Sequence, residues 1–265
     1  NPGFFLLRAA IYFAVWSALA ARLYALSLRQ DATGDPRVLQ SMRRLSAPGM
    51  ILFALTTTFA AFDWIMSLDP KWYSTIFGVY YFGGCVLAIV STLTLAVLAL
   101  GAAGRMRDVV TAEHLHDLGK LMFAFVIFWA YIAFSQFLLI WMADIPEETV
   151  WFAHRWEAPG WMAHSLFLVF FHFIFLFVFL LPRTVKRCAP LMALAAVWVL
   201  GVHYMDLYWL IMPALDHGRV PLHPMDPFLW LGVGCLFVYG LTGRLRRGRR
   251  PADHARRAPV HGPPR

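Results

Sequence analysis

FALTTTFAAFDWIMSLDPKWYSTIFGVYYFGG, from Phe53 to Gly84, is the stretch whose reading decides the fold. One apolar run meets a short polar corner at Asp69-Pro70-Lys71, and a second apolar run leaves it. Proline and the polar residues interrupt the pattern, so the stretch reads as two helices joined at a turn. Asp63 lies inside the first run, about one turn before its end, which puts it roughly 5–8 Å below an interface by helix rise. A carboxylate is costly in hydrocarbon and is by default a candidate for function.

The composition says what surrounds these helices. The chain has 265 residues, is 60% hydrophobic and only 14% charged, with a mean hydropathy of +0.61. Water-facing domains carry about a quarter charged residues, so most of this surface faces lipid. Seven apolar runs follow one another: Phe4–Leu28, Pro48–Leu68, Tyr73–Leu100, Leu118–Ala143, Trp161–Leu181, Pro190–Leu215 and Pro227–Leu241. A span needs about 20 apolar residues, and only the last run is short of that. Backbone groups in lipid must bond within their own segment, so the runs are helices. The expected fold is all-α, a polytopic transmembrane bundle of about seven spans over residues 1–243. Residues 244–265 are rich in Arg and Pro and cannot bury a core. They are expected to form a disordered tail held to anionic lipid, with no folded platform for nucleic acid.

Lys and Arg divide the connections into two sides. One side holds Arg29, Arg37, Arg43 and Arg44, then Arg105, Arg107 and Lys120, then Arg183, Lys186 and Arg187, then the tail. The other holds only Lys71, Arg155 and Arg219. The positive-inside rule makes the first side, with the C-terminus, cytoplasmic. The outer side collects acids and a belt of tryptophans. Its longest connection, Asp144–Gly160, is expected to be a partner surface or a lid, with Trp151 and Trp156 as docking residues.

Polar residues within the spans are few. The fourth span offers Tyr131 and Gln136, the fifth His164 and His172, and the sixth His203 and Asp206, three apart on one face. Counting helix rise places His172 and His203 near mid-membrane, with His164 and Asp206 shallower, on the side of Asp63. Asp63, His164, His172, His203 and Asp206 thus form a titratable set from the outer interface to the midplane, with Tyr131 and Gln136 as helpers. Three readings stay open: a proton relay or ligand pocket, a b-type haem held between His172 and His203, and packed histidines that each bond one carbonyl. Arg8 and Arg22, near the ends of the first span, are expected to snorkel. Cys85, Cys188 and Cys235 show no metal or haem spacing and read as packing residues. A retinal Schiff base fails, because Lys71, Lys120 and Lys186 are all in or near loops. His114 and His116 form an H-x-H without further ligands and suit a helix start better than a metal.

Several stretches together resemble one family. They are RAAIYF (Arg8–Phe13), SLRQDATGDP (Ser27–Pro36), RRLSAPG (Arg43–Gly49), TFAAFDWIMSLDPKWYSTIFG (Thr58–Gly78), HLHDLG (His114–Gly119), AFVIFWAYIAFSQFLLIW (Ala124–Trp141), IPEE (Ile145–Glu148) and DLYW (Asp206–Trp209). The chain resembles the second NrfD-like membrane subunit of alternative complex III, the bacterial quinol:cytochrome c oxidoreductase, within the polysulfide reductase membrane-subunit superfamily. The resemblance implies a bundle of about ten spans, so an N-terminal part is expected to precede these seven. It implies a multi-pass protein of the bacterial inner membrane that binds no haem or cluster itself. The haems and iron–sulfur clusters are expected on partners: c-type cytochrome subunits and an iron–sulfur subunit, beside a second NrfD-like subunit. Proton conduction is the implied role, with a quinone or menaquinone contact as a further possibility. Of the candidate residues, only Asp63, Tyr131, Gln136 and Asp206 fall within the matching stretches. The three histidines rest on depth alone.

Overall fold

The computed structural model describes residues 1–104, 109–216, 220, 221 and 223–247. Arg105, Arg107, Arg219 and residues 248–265 of the expected tail lie outside the described residues. Every regular element among the described residues is helical. Seven helices are long and apolar enough to cross a membrane: Pro2–Thr33, Pro36–Leu68, Phe77–Ala102, Ala112–Ala143, Pro159–Leu180, Ala189–Ala214 and Met225–Arg244.

Local sequence sets the helix ends. Asn1 caps α1 (Pro2–Thr33) by accepting from the Gly3 amide at 3.1 Å, and Gly34 ends it with a left-handed φ of 63°. Asp35 caps α2 (Pro36–Trp64), accepting from the Arg37 amide at 2.9 Å. This cap overturns the expected start at Pro48, which lies inside α2. The polar turns Pro36–Ala47 extend the helix beyond the apolar run, because a helix does not stop where its hydrophobicity does. A 3₁₀ turn at Met66–Leu68 leads into the Pro70 corner, and α3 (Phe77–Ala102) returns. The two helices of the opening stretch approach closely at Gly78, where a Cβ would stand 2.3 Å from Thr58 Cγ2.

Beyond them come α4 (Ala112–Ala143), α5 (Pro146–Trp156) and a span in three parts. That span runs as α6 (Pro159–Phe167), a π-helical segment Leu168–Ile174 and α7 (Phe175–Leu180). α8 (Arg183–Arg187) and α9 (Ala189–Ile211) follow. His114 accepts from the Thr111 amide at 3.2 Å in a capping box, so the H-x-H pair serves the start of α4 as expected. The connection Asp144–Gly160 is mostly the helix α5. At the other end of the bundle, Lys186 donates to the carbonyls of Leu180 and Leu181 at 2.7 and 3.1 Å, and burial lowers its pKa.

Residues 1–220 form one compact unit, and 221–265 form a second whose described helix is α10 (Met225–Arg247). The first unit has two cores. One is aliphatic, built from Leu87, Met122, Val126, Leu176, Met192 and Val199. The other is aromatic, with Trp72, Phe77, Tyr80, Trp129, Trp151 and Leu168. Lipid tails are as apolar as leucine, so close packing and interhelical hydrogen bonds, rather than escape from water, hold these spans together.

Candidate functional site

Asp206 is the centre of the most enclosed polar cluster. It lies on the buried face of α9 with Val199, Val202, His203 and Leu210, and is 1% exposed. Its Oδ2 accepts from Trp129 Nε1 of α4 at 3.1 Å, and its Oδ1 accepts from the Tyr80 hydroxyl of α3. His203 Nδ1 lies 3.6 Å from Oδ2, a distance at which a protonated imidazole attracts the carboxylate without a good hydrogen bond. Among the described residues, neither lysine nor arginine pairs with Asp206. The carboxylate is therefore stabilised by two neutral donors and one titratable ring. A buried carboxylate with no partner would be far more costly.

His172 extends the cluster. It is fully buried, its ring stacks on Trp129 at 3.9 Å between centroids, and its centroid is 6.3 Å from that of His203. Among the described residues, neither ring nitrogen of His172 has a hydrogen-bond partner. His172 sits in the π-helical segment, a geometry frequent at functional sites. Gly84 of α3 makes the room: a Cβ there would stand 2.5 Å from His203 Cε1.

The other expected site residues fall elsewhere. Asp63 accepts from the Tyr12 hydroxyl at 2.7 Å and pairs with Arg8 Nε at 2.9 Å. Arg8 also donates to Tyr12 of its own helix at 3.0 Å, and its pair with Asp63 ties α1 to α2. Asp63 and Asp206 share no partner among the described interactions, so depth along the membrane did not bring them together. His164 Nε2 lies 3.0 Å from the Met205 carbonyl, which is the packed-histidine arrangement. Tyr131 is 65% exposed and makes no described hydrogen bond to the cluster. Trp151 is buried, stacked on Trp72 at 4.4 Å, so it braces its own chain and offers no docking surface. Trp156 remains partly exposed.

Arg155, read from the sequence only as a loop charge, is almost fully buried beside this region. It donates to the carbonyls of Trp151 (2.7 Å), Leu210 (3.0 Å) and Trp209 (3.2 Å). Its guanidinium carbon lies 3.4 Å from the Trp151 ring centroid. Trp209 and Leu210 are in the last turn of α9, where carbonyls lack helical partners and a cation suits the dipole. Burial pushes the Arg155 pKa down to about 9, which still leaves a cation at neutral pH. Ser165 joins the same knot, accepting from Trp209 Nε1 at 2.7 Å.

A cleft of about 700 Å³ adjoins the cluster, with Tyr80 and Trp129 in its wall and Trp151, Phe152 and Trp156 of α5 along it. Gln136, 4% exposed, also lines it. The haem reading does not fit His172 and His203. Trp129 covers a face of His172, α3 abuts His203 at Gly84, and neither ring lines the cleft, so no slot for a macrocycle separates them. Among the described residues, no group of three or more His, Cys, Asp or Glu is placed to hold a metal ion. No protein-family model matches the chain, and no curated protein matches it either.

Proposed function

We propose that the chain is an integral membrane subunit of a respiratory quinol:electron-acceptor oxidoreductase, and that it carries protons through the Asp206 cluster. One observation carries the proton reading: a fully enclosed carboxylate is held by two neutral donors and a histidine, with no fixed cation among the described residues. A fixed cation would favour the charged carboxylate, whereas a histidine ring is a proton carrier, and here it stands 3.6 Å from Oδ2. Intramembrane Asp and His chains are what proton relays use. His172, buried with both nitrogens unpaired among the described residues, supplies the next titratable ring. The path is Tyr80, Asp206, His203 and His172; Asp63 and His164 belong to separate contacts.

The respiratory assignment rests on the family resemblance. In this reading the redox groups belong to an iron–sulfur subunit and to c-type cytochrome subunits, next to a second NrfD-like subunit. The site of action is the bacterial inner membrane, with the Arg-rich ends cytoplasmic and α5 outside. Partner docking falls on the exposed Trp156 and Glu147 of α5 rather than on Trp151. The test is Asp206→Asn in the intact complex, with quinol turnover and proton release into vesicles measured together. Loss of proton release supports the reading, and unchanged turnover with unchanged proton release overturns it.

A further inference from the structure

We propose that Trp198 of α9 is a positioning residue for His172: its indole N–H fixes the register of the π-helical segment and so holds the imidazole against Trp129 and beside His203. Its role rests on the proton reading, to which it adds a residue outside the Asp206 cluster. A π-helix bonds each amide to the carbonyl five residues back, and an α-helix to the carbonyl four back. Where the segment Leu168–Ile174 gives way to α7, the Phe175 amide still reaches back to Phe170. The α-helical amide that follows reaches back to His172, so the backbone passes over the Phe171 carbonyl. A bilayer core holds no water to take an unpaired carbonyl. Trp198 Nε1 takes this one, donating to the Phe171 oxygen at 3.1 Å. The indole also packs on the Phe175 ring at 4.9 Å between centroids and on the Phe171 ring at 5.9 Å. The bonded oxygen belongs to the peptide unit that leads into His172. Among the described residues neither ring nitrogen of His172 has a partner, so no hydrogen bond of its own sets where the ring points. An extra residue of winding that moves along a helix turns the residues it passes by up to about 100°. Trp198 pins that extra residue in place. Five positions further along α9, His203 faces the His172 ring at 6.3 Å. One helix thus sets both members of the histidine pair.

Trp198→Phe keeps an aromatic ring and removes the donor. In the intact complex it is expected to lower the number of protons released into vesicles per quinol oxidised, as is expected of His172→Phe. An unchanged number of protons per quinol overturns the positioning role. A second measurement, on the purified full chain in detergent, does not depend on proton transfer. Deleting Val169, which is exposed, returns the segment to α-helical pairing and gives the Phe171 carbonyl a backbone amide. Trp198→Phe is expected to lower the unfolding temperature of the parent chain by about 2–4 °C and that of the deletion chain by much less. An equal loss in both chains overturns the register role, because simple packing on Phe171 and Phe175 would be lost in either. The two readings fail separately. Proton release that survives Asp206→Asn removes the proton reading, while the comparison of parent and deletion chains still decides whether Trp198 holds the register.

Discussion

Asp63 and Asp206 are the same residue type in one compact unit, and each receives a tyrosine hydroxyl. Their remaining partners differ. Asp63 meets a guanidinium, and the Arg8–Asp63 pair is partly open to its surroundings, with side chains 31% and 15% exposed. Asp206 meets an indole N–H and an imidazole in a closed interior. The first arrangement sets a fixed cation against the carboxylate and ties α1 to α2. The second has no Lys or Arg against the carboxylate among the described residues. A carboxylate in a membrane span is thus informative only through what faces it.

Removing the two carboxylates should separate the sites most strongly. Asp206→Ala leaves Tyr80 and Trp129 with buried, unpaired donors beside a new hole. A loss of about 3–5 kcal/mol is expected, read as a lower unfolding temperature in detergent. Gly84→Ala should come next, at about 1–3 kcal/mol, because its Cβ drives the enclosed His203 ring into the cluster. A Gly84→Ala chain as stable as its parent would show that His203 has room to move. Asp63→Ala should cost about 1 kcal/mol or less, since its ion pair is partly exposed. A double-mutant cycle with Arg8→Met measures that coupling, and a value like that of the interior site would erase the contrast. The smallest effect on stability is expected for His172→Phe. Both ring nitrogens are unpaired among the described residues, so an aromatic of similar size should change stability by less than about 1 kcal/mol. The same substitution should stop proton release in vesicles, and normal release would remove His172 from the path.

The spans were legible because lipid imposes length and all-round apolarity, and both are written in the residues. Their ends were less so: Asp35 and Pro36 signal a helix start that the apolar run at Pro48 concealed. Counting rise does not give direction around the axis. Tyr131 and Gln136 are five positions apart, roughly 140° around an α-helix, so one faces lipid when the other faces inward. Tyr80 and Trp129 could not be singled out, because aromatics in apolar runs look alike until a carboxylate from another helix is seen against them. Arg155 was weighed as a topology charge, and only packing reveals it as the clamp on the end of α9.

The π-helical segment Leu168–Ile174 has a consequence for how the fifth span tolerates change. Such a segment winds in about one residue more than an α-helix of the same length, which amounts to a register offset of roughly 100°. Trp161, His164 and Ser165 lie on one side of the offset and Leu176 and Leu180 on the other, and both groups make interior contacts. Deleting a single residue here would restore a regular helix and leave both groups on the interior face. In this span a gap of one residue should be less damaging than the same gap in a regular α-helical span.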